Sequence, residues 1–195
     1  MDGEEILSLI FDYGLDALPR ALLILLLSFT DKQNEKGMGR LYFQKAVRYF
    51  EYLREKKEID FSNYKYGVVS YELQENMETL EECGLVTSVG RGKNIKYTLT
   101  EEGERASKEL IEQYDEETIR KLKFSKSQLN DLTISELLFF MYMLLPETRV
   151  KSIEFEKLYA KKEELVSSLF KKGRISRHTA SKWLGVAEKT FRDSL

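Results

Sequence analysis

Little in this chain would serve an enzyme or a metal centre. One histidine, His178, and one cysteine, Cys83, stand among 195 residues. They supply too few ligands for a metal cluster and exclude an internal disulfide framework, which fits a reducing cytoplasm. The greasiest run, "ALLILLLSF" from Ala21 to Phe29, is much shorter than the ~20 apolar residues that span a bilayer. With no basic leader and no small-residue cleavage site, neither membrane insertion nor export is expected, and the chain reads as cytoplasmic. Charge of one sign is also lacking: 31 basic residues against 33 acidic ones give a net charge of −2. Whole-molecule electrostatics therefore do not announce a nucleic-acid binder, and the distribution of charge has to be read instead.

What is present is a globular composition, 42% apolar and 33% charged, long enough for one elaborate domain or two small ones. The periodicities predict a mainly α protein. A winged-helix-like body with one β-hairpin and flanking helices takes residues 1–150, and a helical lead with a basic C-terminal helix-turn-helix takes 151–195. A first element carrying Ile6, Leu9 and Ile10 is expected from Met1 to about Gly14, and Pro19 suits the first turn of a helix, "RALLILLLSF", apolar on almost every face. "RLYFQKAVRYFEYLREKK" spaces Leu41, Ala46, Tyr49, Phe50 and Leu53 as an amphipathic helix. "EIDFSNYKYG" reads as an extended aromatic connection. From Ser70 to Gly84, Leu73, Met77 and Leu80 form one helical stripe. "LVTSV" and "IKYTLT" alternate as strands around the turn "GRGKN". Thr100 caps the next helix, with Glu101 and Glu102 favourably placed at its positive end. Beyond it, Glu104 to Asn130 reads as a charged helix broken near Phe124. "TISELLFFMYMLLPE" is capped by Thr133 or Ser135 and stopped by Pro146, and "EFEKLYAKKEELVSSLFKKG" is one helix ended by Gly173.

The helix in the reading position of that winged order is acidic. Glu72, Glu75, Glu78, Glu81 and Glu82 accompany no basic residue between Ser70 and Leu85, and such a face would set like charge against DNA phosphates. The fold therefore reads as an adaptor for a protein partner, with Glu75, Glu78, Glu82 and Tyr66 as contacts, Tyr66 being one of several tyrosines of the type enriched at interfaces. A plain solvated face is the other reading of the glutamates. The wing carries Arg91, Lys93 and Lys96, able to touch phosphate without reading sequence.

Three segments carry a family resemblance. "GRLYFQKAVRYFEYL", "YKYGVVSYELQENMETLEECGLV" with its hairpin, and "ISELLFFMYMLLPETRVKS" resemble, in that order, the Panacea-type antitoxin domain and its prokaryotic relatives over about residues 40–152. The marks are Leu41, Phe43, Gln44 and Lys45 at a helix start, Lys65, Tyr66 and Gly67 at a turn, and Tyr142, Pro146 and Glu147. Members usually carry a proline soon after that glycine, where this chain has Val68 and Val69. The resemblance implies a mostly helical adaptor that neutralises a toxin by direct protein contact.

The tail, "KKGRISRHTASKWLGVAEKTFRDSL", has the opposite charge. Ser176 suits a cap, Ala180 and Ser181 are small enough for a helix crossing, Gly185 suits a turn, and Val186, Phe191 and Leu195 are expected to face inward. Its spacing resembles helix-turn-helix proteins, and "KKGRISRHTASKWLGV" resembles small antitoxin-like proteins. Phosphate anchoring is assigned to Lys171, Lys172, Arg174, Arg177, His178 and Lys182, and approach to base edges to Lys189, Thr190 and Arg192. A single site this small would bind weakly, so DNA as a partner goes with a homodimer. The other reading gives the tail no DNA and uses it for docking or dimerisation. No cofactor, metal or catalytic constellation is expected. Cys83 reads as a small core residue beside glutamates that discourage thiolate formation, and the chain is read as a non-enzymatic regulator.

Overall fold

The computed structural model describes residues 17–29 and 37–192, and over them the protein is mainly α, with short antiparallel strands. The first element, expected to end around Gly14, lies outside the described residues. The chain forms two compact units. One comprises residues up to Phe61 together with Ser70–Asn130; the other comprises Ser62–Val69 and everything from Asp131 onward. The division thus falls at residue 130 where the sequence suggested about 150, and a short internal segment joins the C-terminal unit.

The first unit is built on α1 (Ala17–Ser28), in which Leu23 to Leu27 are essentially inaccessible to solvent. Around it pack α3 (Tyr71–Glu82), α4 (Glu101–Gln113), α5 (Glu116–Leu129) and strand β5 (Lys96–Leu99). α1 ends with a carbonyl, that of Leu27, accepting from the buried Lys126 Nζ at 3.4 Å, a cation where a helix terminus is negative. The other elements are β1 (Met38–Gly39), α2 (Arg40–Arg54) and β4 (Val86–Val89). The strands form one antiparallel sheet in the order β1-β5-β4, with Met38 opposite Tyr97 and Val86 opposite Leu99. Helices α2 and α3, the β4–β5 hairpin and α4 follow one another as expected of a winged-helix-like body, and the structure adds β1, which falls in a stretch that reads as a polar turn and which pairs with β5. The wing includes a 3-10 turn, Gly92–Asn94. Gly103, in the first turn of α4, lies against β4's lead: a Cβ there would collide with the Leu85 carbonyl.

α2 departs from the expected one-sided helix, because Phe43 to Glu51 are buried without interruption. Its polar residues are accommodated by partners. Arg48 pairs with Glu51 at 3.3 Å, and Glu51 accepts from the Glu58 and Ile59 amides, both at 2.7 Å. Buried polar groups tolerate the low-dielectric interior only when satisfied in this way. The charged stretch after the wing divides into α4 and α5 at Tyr114 and Asp115, not at Phe124, which lies inside α5. Asp115 is the reason: its carboxylate accepts from the Thr118 amide at 2.8 Å and starts a new helix.

In the second unit, β2 (Ser62–Tyr64) and β3 (Gly67–Val69) make a tight hairpin in the stretch expected to be a plain connection. Its turn is tied down by the Lys65 carbonyl, which accepts from the Ile153 amide at 3.1 Å and from Ser152 Oγ at 3.3 Å. α6 (Ile134–Leu144) forms the core, with Leu137 to Tyr142 buried. Thr133 caps it through a full capping box with Glu136. Pro146 begins the 3-10 turn Pro146–Arg149. The long helix expected over 154–173 is two, α7 (Phe155–Tyr159) and α8 (Lys162–Lys171), since Lys161 leaves helical geometry between them. α9 (Arg177–Leu184) follows, capped by Ser176 and closed by Gly185 in the left-handed conformation.

Candidate functional site: an acidic reading helix and a partly committed basic tail

Two surfaces were nominated by charge, one in each unit, and they differ in how free their charges are. In the first unit α3 is positioned at its start by α2. The Gln44 side-chain amide donates to the Ser70 carbonyl at 2.9 Å and accepts from the Ser70 amide at 2.8 Å. Ser70 Oγ in turn accepts from the Leu73 amide and caps the helix. Leu73, Asn76, Met77 and Leu80 face inward, as the stripe predicted, with Asn76 added. Glu75, Glu78 and Glu82 are exposed, Glu72 and Glu81 half-buried, and Tyr71 is 62% exposed. Positions 71, 75, 78 and 82 lie at spacings of four, three and four residues, which is one face of a helix. The structure therefore brings the three nominated glutamates together on an exposed face. Tyr66 does not join them, because it belongs to the second unit, at the β2–β3 turn, where it is 48% exposed.

The wing holds Arg91 exposed and Lys96 half-buried on β5, while Lys93 lies within the 3-10 turn. Cys83, read as a core residue, is half-buried at the C-terminal end of α3.

In the second unit the basic tail is only partly available. Lys172 Nζ donates to Glu136 Oε2 at 2.8 Å and to the Asp131 carbonyl at 3.1 Å. Arg174 pairs with the Asp131 carboxylate at 2.7 Å and is 17% exposed. Two of the expected phosphate anchors thus sit on carboxylates of their own unit. Glu136 is 4% exposed and also accepts from Ser168 Oγ. Its burial opposes ionisation, but hydrogen bonds from Lys172, Ser168 and Thr133 outweigh that and hold its pKa down at about 2.

Lys171, His178, Lys182, Lys189 and Thr190 are exposed, and Arg177 is half-buried. His178 Nδ1 lies 3.8 Å from the Glu188 carboxylate, where an exposed pair contributes little.

The second helix of the expected helix-turn-helix is one 3-10 turn, Thr190–Arg192. Phe191 does face inward, packing edge-on to Phe170 with ring centres 5.1 Å apart. Val186 does not: it is 41% exposed. Leu195 lies outside the described residues. The backbone shows how the chain turns here: the Gly185 and Val186 amides close α9 onto the Lys182 and Ser181 carbonyls, and the Thr190 and Phe191 amides bond back to the Ala187 carbonyl.

Residues missed by sequence reasoning include Gln44 as the clamp of α3 and Asp131 as the partner of Arg174, 43 positions away. No spacing rule connects such distant pairs. Among the described residues no group of three or more His, Cys, Asp or Glu could hold a metal ion, and no helix is long and apolar enough to cross a membrane. In comparisons with known proteins, no family model matches the chain, and no curated protein does.

Proposed function

We propose that this chain is a non-enzymatic, antitoxin-like regulator that captures a basic segment of a protein partner on the outward face of α3. One observation carries this reading. The helix in the reading position of a winged-helix order presents Glu75, Glu78 and Glu82 to solvent with no cation along its length. Phosphates are repelled by such a face, whereas lysine- and arginine-bearing protein surfaces are attracted to it and steered towards it. The Panacea-type resemblance points in the same direction and makes a toxin the natural partner.

DNA contact through the tail is the second reading, supported by exposed Lys171, Lys182 and Lys189. It is weakened by the engagement of Lys172 and Arg174 with Glu136 and Asp131.

One pair of experiments separates the two. Tagged protein expressed in its native host should retain a partner that Glu75→Lys/Glu78→Lys/Glu82→Lys loses; retention of the same partners by the triple variant would defeat the α3 reading. Labelled duplex DNA, followed by anisotropy across a salt series, should bind at low salt and lose affinity on Arg177→Glu/Lys182→Glu if the tail meets DNA.

A further inference from the structure

We propose that the second unit carries a surface for single-stranded RNA, built from the β2–β3 turn and from a row of cations and aromatic rings that runs from Arg149 to the start of α8. The row is continuous. The Arg149 guanidinium lies 4.8 Å from the centre of the Phe155 ring. The Phe155 and Tyr159 rings are 5.5 Å apart with 34° between their planes, and Lys162 Nζ lies 5.4 Å from the centre of the Tyr159 ring. Tyr159 is 40% exposed, and the other three members are half-buried. A cation over an aromatic face is attracted to it, so charges and rings are held together before a ligand arrives.

The hairpin supplies the other part. Tyr64 and Tyr66 flank Lys65 at the turn; all three are exposed, each tyrosine at 48%. Tyr66, which does not reach the α3 face, thus belongs to a surface of its own unit. Tyr142, wholly buried, fixes the turn to the row. Its hydroxyl lies 2.6 Å from Ser152 Oγ, the group that donates to the Lys65 carbonyl, and its ring meets that of Phe155 edge-on at 5.9 Å. The loop that anchors the turn exposes Val150, Lys151 and Ile153.

Charge and shape select the occupant. Residues 62–66 and 149–153 contain Lys65, Arg149 and Lys151 and no carboxylate. Among the flanking carboxylates, Glu154 is paired with Lys157 at 3.3 Å. Glu147 and Glu156 are matched in number by Lys161 and Lys162, and Glu163 and Glu164 follow in the first turn of α8, at its positive end. The turn and its anchoring loop are therefore cationic. Phosphates answer the cations and flat bases answer the exposed rings, the combination by which single strands are bound. A duplex keeps its bases stacked inside and offers phosphates and groove edges, which leaves the rings unmatched. An acidic peptide meets the cations alone. Unpaired bases that stack on protein side chains are chiefly those of RNA loops, bulges and ends, so RNA is the occupant. The surface covers only a few nucleotides, and affinity is on the order of micromolar at low salt. This inference does not rest on the α3 reading, and it uses none of the tail cations assigned to DNA.

The test is anisotropy of a labelled, unstructured RNA of about 12 nucleotides, titrated with the full chain across a salt series, beside the same strand annealed to its complement. The single strand should bind at least ~10-fold more tightly than the duplex, and affinity should fall as salt rises. Tyr64→Ala/Tyr66→Ala should cost about 10-fold or more, whereas Tyr64→Phe/Tyr66→Phe keeps the rings and should stay within about threefold of the wild type. Lys65→Glu/Lys151→Glu should weaken binding and flatten its salt dependence. All these side chains are exposed, so the variants should melt with the wild type and report on the surface. Arg177→Glu/Lys182→Glu, in the tail, should leave RNA affinity unchanged. Equal affinity for the duplex, displacement of the strand by polyglutamate of matched charge, indifference to the tyrosine-to-alanine pair, or loss of binding in the tail variant would each overturn the proposal.

Discussion

α3 and the lead into α9 are similarly charged segments of opposite sign, yet they hold their charges differently. The exposed carboxylates of α3 stand on a helix whose buried side is apolar apart from Asn76. The cations before α9 are partly bound: Lys172 to Glu136 and Arg174 to Asp131. The difference teaches that a count of charges along a segment measures attraction at long range, while partners within about 3 Å decide what remains to offer a ligand.

The largest effect should come from breaking the bound side of this comparison. Glu136→Ala leaves Lys172, Ser168 and the Thr133 amide without their shared acceptor, and should lower stability by about 2–3 kcal/mol at neutral pH, read from chemical denaturation. Its pH dependence has a definite sign. A carboxylate whose pKa is about 2 when folded, against an ordinary 4.5, stabilises above about 4.5 and loses that contribution as pH falls towards about 2. The stability gap between the wild type and Glu136→Gln should therefore narrow through that window, by on the order of 1–2 kcal/mol after allowance for solvent screening.

Lys45 supplies a contrasting buried cation in α2. Burial holds its pKa at about 7, below the ordinary 10.5. The unfolded chain then binds more protons than the folded one between those values, so stability should rise as pH climbs from about 7 to about 10. Lys45→Met should flatten that rise; an unchanged slope would show that other groups produce it.

A smaller change should follow Asp131→Asn, which releases Arg174. Stability should fall by no more than about 1 kcal/mol, the range of a partly exposed pair, while retention on a polyanion column should increase. Unchanged retention would mean that Arg174 stays committed elsewhere. The smallest effect on folding belongs to the free side: Glu75→Lys/Glu78→Lys should alter thermal stability by less than about 0.5 kcal/mol. A large loss there would mean that the face contributes to the fold.

Local chemistry was the legible part of the fold. Thr100 and Ser176 each cap the helix expected of them, and of the two candidates Thr133 and Ser135 it is Thr133 that caps α6, because a cap is settled within three residues of chain; Ser70, not singled out in the sequence, caps α3 in the same way. The hairpin around "GRGKN" and the stripe of α3 were equally plain. Asp115 carried a readable signal, an aspartate three residues before Thr118, that the uninterrupted charge of the segment obscured. The β2–β3 hairpin was hidden for another reason. Strands of three residues give almost no alternation, and this one is tied by Ser152 and Ile153, far away in sequence. The same holds at the candidate sites. The acidic face of α3 could be read from spacing, but the engagement of Lys172 and Arg174 depends on residues about 40 positions earlier. At the C-terminal end, the apolar pattern of Val186 and Phe191 suggested a helix, and only Phe191 found a core position.

The segment from Ser62 to Val69 leaves one unit and returns to it, with Gln44 gripping the point of return at Ser70. In genetic terms the two units are therefore not cassettes. A stop codon after Asn130 would leave the first unit carrying eight residues of the second, with Val68 deprived of its burial and Lys65 of the residues that anchor its carbonyl. Recombination at that codon would move the second unit without its own hairpin. Separating the units intact takes two cuts and a new join from Phe61 to Ser70, an event far rarer than a single crossover, so the pair should be inherited together.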